Sequence, residues 1–542
     1  MITTCYNGLI QRVRNFRANI NIESNVKAAS KVILNTGILY GRMLLTMGIS
    51  LYTTRLILNA LGQTDYGVFN LIAGVIAMLS FLNTAMATST QRYLSFHQGK
   101  GDLAMQKLVF GNSVLLHVVI GLLVVFGLEI AGFFLLDGFL KIPVARLEAA
   151  KTVYHYMSAT VFFTIVAVPF LGSLTAHENM LWVAIVAVTE TMLKLGIASF
   201  LFITTNDKLV IYGLLTASIS VFTCALYAVY CLKKYPECQL RNIKLLDRKI
   251  VKELTSFAGW NLFGSLCSVG RAQGIAILLN LTFGAIVNAA YGIANQVSAQ
   301  LTFFSATMLR ALNPQIMKSE GANDRQRMLR LSMMASKFGF FLLAFIAIPC
   351  IFEMPGILRF WLKTVPENTV IFCQLILIGS LVNQTTIGLQ SAIQAIGNIK
   401  AYQSVVGSVI LLNLPIAYVL LNMGFPSHYV LISYIIIECV ACILRLHFLV
   451  KIANLRLKDF AERVIIKVVP STLFCIGACL VVINLAESQY RFIYTSIISS
   501  IAYVACIYML GLCADEKDLI SGISRKVYQK LPAFKFLETK AS

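Results

Sequence analysis

Charged side chains are scarce in this chain of 542 residues, because Asp, Glu, Lys and Arg together make up only 13% of it. Hydrophobic residues make up 58%, and the mean hydropathy is +0.77. A typical soluble domain carries about 25% charged residues, so this composition excludes an ordinary soluble protein. It predicts an all-α protein that crosses a membrane many times.

Clusters of metal-binding residues are also lacking. The six histidines are scattered, and most of the thirteen cysteines fall inside apolar stretches, where cysteine acts as a small apolar residue. Cys439 and Cys442 form a C-x-x-C pair, but no second pair of Cys or His residues completes a zinc site. We therefore predict no metal site and no cofactor.

Long apolar stretches dominate the chain instead. A membrane-spanning helix needs about 20 mostly apolar residues. By that rule there are about fourteen candidate spans, at 33–58, 67–90, 108–136, 152–174, 180–204, 209–232, 256–283, 286–309, 333–352, 370–394, 403–423, 428–449, 464–485 and 490–512. The first 31 residues are polar and basic and lack the apolar core of a signal peptide, so we expect the first span to remain as an anchor.

The positive charge is distributed unevenly between the two sides of the predicted membrane. If the N-terminus is inside, 31 of the 45 Lys and Arg residues lie in inner segments and only 7 lie in outer loops. This bias predicts that both termini are cytoplasmic. The net charge of +21 then reflects topology and attraction to anionic lipids. We predict no binding to nucleic acid.

Three pairs of segments repeat loosely at an offset of about 220 residues. LNALGQTDYGVFNLI at 58–72 is matched by LNLTFGAIVNAAYGIANQV at 279–297. The segment from Gln91 matches the one from Asn313, with Gly99 over Gly321. A third match, from Ser173 and from Ala392, aligns two asparagines, Asn179 and Asn398.

These repeats predict two six-helix bundles, at 31–232 and 256–452, joined by a basic cytoplasmic linker at 233–255. Since six is even, both bundles have the same orientation. Parallel repeats of this kind are a known transporter plan, with the substrate between the halves near the middle of the membrane. A cytoplasmic segment at 1–30, two additional helices at 453–512 and a cytoplasmic tail at 513–542 lie outside the repeat.

One arginine lies deep in the opening span of each half. Arg42 and Arg271 have no acidic residue in their own spans, and a cation in the middle of a bilayer costs about 3 kcal/mol on insertion scales. We therefore predict that both face a cavity that binds an anion. Arg55, near the outer end of the first span, points away and is expected to reach the headgroups. Arg92 and Arg310 lie at inner span ends, where they either anchor helices or line a cytoplasmic mouth.

Amide and hydroxyl residues form stripes at helical spacing on several spans. Such residues either contact a polar substrate or bond neighbouring helices to each other. The candidates for substrate contact, in addition to the two arginines, are Thr46, Asn83, Asn288, Asn295, Asn383 and Gln390.

Only three acidic residues lie deep within the spans. Glu190 precedes Lys194 by four residues, a spacing that predicts an ion pair within one helix. Glu438 and Arg445, seven residues apart, suggest a similar local pairing. Glu129 has no local partner, so it either pairs with an arginine across the bundle or titrates during transport. Glu129 and Glu190 are the candidates for ion coupling.

The arrangement resembles the multidrug/oligosaccharidyl-lipid/polysaccharide exporter superfamily, which also contains the MATE antiporters. The stretch LYTTRLILNALGQTDYGVFNLIAGVIAMLSFLNTAMATSTQRYLSF and the later NPQIMKSEG are similar to the Wzx-type polysaccharide exporters of this superfamily. The resemblance covers about residues 30–450. It implies a V-shaped, MATE-like pair of bundles that opens alternately to each side of the membrane.

The resemblance also implies the cargo, an undecaprenyl-pyrophosphate-linked oligosaccharide (O-antigen, capsule or exopolysaccharide repeat unit) turned across the bacterial cytoplasmic membrane. Arg42 and Arg271 are the residues that could bind its pyrophosphate. The expected partners are this lipid-linked substrate, membrane lipids and, as candidates, a polysaccharide polymerase and assembly proteins. Such a flippase makes and breaks no bond and is not an enzyme.

Two alternatives remain open at this stage. A MATE-like cation-coupled antiporter of small cationic drugs or metabolites would need acidic residues in its cavity, and few are present. A membrane glycosyltransferase, polymerase or ligase would need a large outer loop or an acidic catalytic pair, but the longest outer loops, around 137–151 and 353–369, have only about 15 residues.

Overall fold

The computed structural model describes the backbone of residues 2–77, 80–136, 142–239, 247–362, 364–485, 490–518 and 521, and the side chains of these residues from 31 onwards, except 75–81. Within these ranges the regular structure is helical and no strand occurs. The α-helices are α1 (Ile2–Ala77), α2 (Ser80–Lys100), α3 (Leu103–Phe134), α4 (Leu147–Ala176), α5 (Met180–Phe200), α6 (Lys208–Lys234), α7 (Arg248–Phe283), α8 (Ala285–Gly321), α9 (Arg325–Phe352), α10 (Met354–Leu362), α11 (Thr369–Gln384), α12 (Ile387–Ile396), α13 (Lys400–Leu411), α14 (Asn413–Asn422), α15 (Tyr429–Ala453), α16 (Leu457–Phe460), α17 (Ile466–Leu485) and α18 (Arg491–Cys506).

Helical residues lie at each of the fourteen predicted stretches, but fewer helices are long and apolar enough to cross a membrane. Eleven of the described helices meet that test, or twelve if α11 and α12, which are bent by 43° relative to each other, form one broken span. The number fourteen therefore stays a prediction. The long helices α2 and α8 fall short, because amide and hydroxyl side chains lower their hydropathy.

Two glycines that the repeat aligns interrupt the helices at equivalent points. Gly62 breaks α1 with a φ of 79°, and Gly284 separates α7 from α8 with a φ of 79°. Positive φ is unfavourable for residues with a Cβ atom, so glycine suits both positions. These breaks occur in the matched segments 58–72 and 279–297.

The helices pack into two groups that share a core at one end only. One apolar cluster lies mainly among α1, α4, α5 and α6, for example Tyr154 and Ile197. A second lies among α7, α8, α9, α11 and their neighbours, for example Phe372. The largest cluster joins both groups, with Phe110 from the first and Ile316 from the second. We call the end with this shared core the linker side, because α6 ends and α7 begins there.

The two additional helices α17 and α18 are fixed to α9 by charged residues at both ends. Lys337 of α9 forms a fully buried ion pair with Glu516, just after α18. At the opposite end Glu353 accepts hydrogen bonds from Arg491, at 2.9 Å, and from Thr495, at 2.8 Å. Because each pair joins different helices, this appendage is bound specifically to the second bundle.

Replacing Glu516 with Gln should release α18 from α9, because Lys337 would then be a buried charge without a partner. Removing one member of a buried ion pair costs about 3–5 kcal/mol. We expect a lower melting temperature and faster hydrogen exchange in α17 and α18. Glu462→Gln is the control, since Glu462 and Lys458 form an exposed pair at 3.8 Å. Equal effects of both variants would contradict a structural role for the buried pair.

Candidate functional site

The two halves touch through glycines at the linker side. A Cβ atom on Gly99, at the end of α2, would collide with the carbonyl oxygen of Lys318 on α8. A Cβ atom on Gly321 would collide with the carbonyl oxygen of Phe96 on α2. The repeat aligns Gly99 with Gly321 and Phe96 with Lys318, so the two contacts are symmetric. The linker side is therefore closed by a direct backbone contact between equivalent helices.

Arg92 of α2 strengthens this closure from the first half. It is buried, and its Nη2 atom donates hydrogen bonds to the carbonyl oxygens of Ala395 at 3.0 Å and Ile396 at 3.3 Å, at the end of α12. Its guanidinium also lies 5.6 Å from the ring of Phe257 on α7. In this state the Arg92 donors bind the other half, so an anchoring role or a place in the lining of a cytoplasmic mouth stays a prediction.

Glu178 forms the corresponding connection between the α4–α5 loop and α8. Its carboxylate accepts hydrogen bonds from Lys318 at 2.6 Å and Gln315 at 3.2 Å, and Lys31 lies 3.5 Å away. Burial opposes ionisation of this carboxyl, but Lys318, Lys31 and Gln315 outweigh burial and hold the pKa of Glu178 below its usual value. Glu178 has a φ of 57° and occupies the place of Gly397 in the repeat. We call the Arg92 and Glu178 contacts the two latches.

Arg42 of α1 and Arg310 of α8, one from each half, lie further from the linker side than the latches do. They lie within electrostatic range of each other, and neither forms an ion pair or side-chain hydrogen bond with a described residue. Arg42 is half-buried, and Arg310 is exposed but lies 5.8 Å from the ring of Phe303. Arg42 is about 16 Å along α1 from Lys31, so the pair lies inside the molecule rather than at its end.

Aromatic contacts between α1 and α8 hold the two arginines in place. The Tyr40 hydroxyl donates a hydrogen bond to the Phe304 carbonyl oxygen at 2.7 Å, and the two rings stack with centroids 6.1 Å apart. Leu39 packs against Ala311 on the same side. Because like charges repel, an anion between the two guanidinium groups would stabilise this arrangement.

Arg271 is neutralised within the second half. Its Nη2 atom lies 2.8 Å from Oε1 of Glu438 on α15, and its guanidinium lies 4.6 Å from the ring of Tyr434. Arg445, the expected partner of Glu438, instead donates to the Thr386 hydroxyl at 3.0 Å. The expectation that Glu438 pairs locally with Arg445 is therefore wrong, and the partner of Arg271 comes from another helix. A substrate contact by Arg271 stays a prediction.

The polar residues predicted to contact the substrate differ in the hydrogen bonds that their side chains form. Thr46 and Asn295 bond to carbonyl oxygens of their own helices, at 2.9 Å each. Asn383 donates to Oε2 of Glu438 at 2.6 Å. Asn83 has a buried Oδ1 atom without a hydrogen-bond partner among the described residues. Asn288 and Gln390 are half-buried or exposed, and no side-chain partner of theirs lies within the described ranges.

The two acidic candidates for ion coupling are both paired. Glu190 and Lys194 form the expected ion pair within α5, with 2.7 Å between Oε1 and Nζ. Glu129 lies 2.7 Å from Nδ1 of His155 on α4, so its partner is a histidine rather than an arginine. Neither pair joins the two halves.

Sequence reasoning did not identify Glu178 or the proximity of Arg310 to Arg42. The partners of Glu178 come from α1 and α8, far away in the chain, so no local spacing reveals them. One signal was available, because the repeat places Glu178 where the other half has Gly397. A charged residue at a position that otherwise needs glycine suggests a special contact.

The chain is similar to known proteins in its sequence family and in its fold. The family model described as "Polysaccharide biosynthesis protein" matches residues 32–320. No curated protein matches the sequence. The solved structures show the fold of MATE transporters. A MATE protein with a single substitution has a TM-score of 0.67 at 14% identity, over 80% of this chain and 97% of that one.

Two further solved structures give the same result. An outward-facing multidrug resistance MATE transporter of the MOP superfamily has a TM-score of 0.67 at 14% identity, over 80% of this chain and 96% of that one. A MOP superfamily transporter from Pyrococcus furiosus, described as having a binding pocket of reverse polarity, has a TM-score of 0.67 at 13% identity, over 81% of this chain and 97% of that one. These similarities show the MATE-like fold.

Replacing Glu178 with Gln should weaken the closure of the linker side. Loss of charge-assisted hydrogen bonds of this kind costs about 1.5–3 kcal/mol, about a 10- to 100-fold change in the equilibrium between closed and open states. The distance between spin labels at Ala104 on α3 and Gln326 on α9 measures this equilibrium, because the two labels lie in different halves at the linker side. Glu148→Gln is the matched control, since Glu148 is exposed at the other end of α4.

The depressed pKa of Glu178 also fixes the pH dependence of this latch. The carboxylate is fully ionised above the ordinary range of glutamate, and the latch weakens only as the pH falls through the lower value. Between about pH 5 and 8 the contribution of Glu178 should therefore be constant. The difference in closed population between wild type and Glu178→Gln should therefore be the same at every pH in this range. A difference that changes with pH would contradict the ionised state of Glu178.

A double-mutant cycle on Arg271 and Glu438 should show strong coupling. Either Arg271→Gln or Glu438→Gln leaves a buried, uncompensated charge and should destabilise the protein by about 3–5 kcal/mol. The double variant should recover much of the lost melting temperature, because neither member of this pair is then left as an unpaired charge. Additive effects of the two substitutions would exclude the ion pair as a stabilising contact.

Proposed function

Since the chain belongs to the polysaccharide biosynthesis protein family and has the MATE-like exporter fold, we propose that it turns an undecaprenyl-pyrophosphate-linked oligosaccharide across the cytoplasmic membrane. The cargo would be a repeat unit of O-antigen, capsule or exopolysaccharide. Transport requires binding and a change of conformation, and no bond is made or broken.

The observation that carries this proposal is the pair formed by Arg42 and Arg310. Two guanidinium groups from opposite halves lie within electrostatic range of each other, and neither forms an ion pair with a described carboxylate. A pyrophosphate has about two negative charges, and each arginine can bind its oxygens through two parallel hydrogen bonds. Binding between the halves would hold the headgroup at the point where the two bundles move relative to each other.

The rest of the substrate has suitable surroundings. Sugar hydroxyls need neutral donors and acceptors, and we propose that Asn83, whose Oδ1 atom has no partner among the described residues, would supply them together with Asn288 and Gln390. The polyprenyl tail can remain in the lipid, because the outer surfaces of α1 and α3 are apolar and exposed, as at Leu44 and Phe126. Arg271 would contribute through its Nη1 atom, which has no hydrogen-bond partner among the described residues, while Nη2 stays paired with Glu438.

Closure at the linker side supports alternating access. The glycine contact and the two latches join the halves there, whereas separate cores hold them at the other end. We infer that this state opens away from the linker, and that the linker side faces the cytoplasm, in agreement with its excess of Lys and Arg.

A cation antiporter is the second candidate, because one solved structure with this fold is described as a multidrug resistance transporter. The charges argue against it. Arg42 and Arg310 would repel a cation, and among the described residues Glu190 is already paired with Lys194. The reverse polarity reported for the Pyrococcus furiosus transporter agrees with a fold that does not by itself determine the charge of the cargo.

Replacing Arg42 or Arg310 with Gln should weaken binding of undecaprenyl pyrophosphate by about 10- to 100-fold, since each loses hydrogen bonds to a charged group. Binding is measured with the full chain in lipid nanodiscs, with undecaprenyl monophosphate as the comparison ligand. Arg55→Gln is the control, because Arg55 is exposed.

In cells, Arg42→Glu and Arg310→Glu should abolish glycan export while the protein still inserts in the membrane. Full export by both variants would exclude this site. Increased drug sensitivity without any change in glycan export would instead indicate the antiporter.

A further inference from the structure

His117 of α3 is a buried histidine with one nitrogen unused. Its side chain is only 2% exposed. Nδ1 lies 2.6 Å from the carbonyl oxygen of Ser113, and because a carbonyl only accepts, Nδ1 carries the proton. Nε2 is then a lone-pair acceptor, and it has no partner among the described residues. The ring therefore has a free site for one proton.

His117 lines a cavity of about 180 Å³ that lies between the two halves. One wall comes from α2 and α3, with Met86 and Leu116, and the other comes from α7, with Leu254 and Leu262. The Ser89 hydroxyl on α2 donates a hydrogen bond to the Leu254 carbonyl oxygen at 3.1 Å and closes the contact between the halves. The cavity exists only while α7 lies against α2 and α3.

The surroundings of His117 offer no counter-ion in this state. The polar residues that line the cavity are Ser89 and Thr90 of α2, Ser113 of α3 and Thr255 of α7. Among the described lining residues, only His117 is titratable. Thr90 and Ser113 bond to each other at 2.7 Å. Gly172 of α4 packs behind Thr90. Glu253, on α7, does not line the cavity and lies in the electrostatic field of Arg92.

We propose that Nε2 of His117 is a proton-binding site that couples protons to the opening of the linker side. Neutral imidazole fits the apolar cavity, whereas an imidazolium ion there would be a buried charge without a partner. Protonation therefore favours separation of α7 from α2 and α3, which admits water to the charged ring. The proton leaves to water on the linker side, and the neutral ring allows the halves to close again.

This coupling rests on the proposed function for its direction. If the linker side is cytoplasmic, and the proton is taken up from the opposite side while the protein is open there, one proton moves inwards for each opening that loads a lipid-linked substrate. The proton gradient would then drive transport outwards. The latches do not supply the same response, because the pKa of Glu178 is depressed and its carboxylate stays ionised between about pH 5 and 8.

The test measures the distance between spin labels at Ala104 and Gln326 in the full chain in nanodiscs, without substrate, from pH 8 to pH 5. The labels are introduced as non-canonical amino acids, so the native cysteines remain. In wild type the open population should rise at least tenfold as the pH falls. His117→Gln and His117→Leu should stay closed at every pH, and His117→Lys should be open already at pH 8.

Each of the other five histidines is replaced by Gln as a control. His447 is exposed on α15 and should have no effect, while His97 and His177 lie at the linker side and test that region directly. An unchanged response in His117→Gln, or loss of the response in His177→Gln or His97→Gln instead, would overturn the proposal. Binding of undecaprenyl pyrophosphate at pH 8 should be the same in wild type and His117→Gln, so a failure of this inference is distinguishable from a failure of the substrate assignment.

Discussion

The backbone contact between the ends of α2 and α8 is the constraint on which the rest of the molecule depends. Gly99 and Gly321 allow each helix to reach a carbonyl oxygen of the other, and any larger residue would keep them apart. The same approach brings Arg92 to the end of α12 and Lys318 to Glu178. It also brings Arg310 within electrostatic range of Arg42 and forms the cavity next to His117. The candidate site, the latches and the cavity therefore depend on the same contact.

The contact is symmetric in position, but the two latches differ in chemistry. On one side an arginine donates to backbone carbonyls beside Gly397, and on the other a glutamate with positive φ accepts from Lys318 and Gln315. The repeat therefore preserves where the halves meet but not which charges they use. The charges also differ away from the latches. Arg42 and Arg310 form no ion pair with a described residue, whereas Arg271 is paired with Glu438.

Much of the architecture was predictable because it depends on local patterns. Apolar length and the repeat indicated the helices and their grouping, and the four-residue spacing indicated the pair of Glu190 with Lys194. The site was predictable only in part. Arg42 was correctly recognised as lacking a local partner, whereas the partners of Arg271 and Glu129 come from other helices. Helical periodicity states which residues share a face, but not what lies opposite that face.

The sequence by itself determined a helical membrane protein, and it predicted two related halves, a basic inner side and an anion site at deep cations. These properties follow from hydropathy, residue spacing and charge counts, which depend only on the order of residues along the chain. Only the tertiary structure decided which cations remain unpaired. Arg271 approaches Glu438 while Arg310 approaches Arg42, because electrostatic energy depends on distances of a few ångströms between helices far apart in the chain.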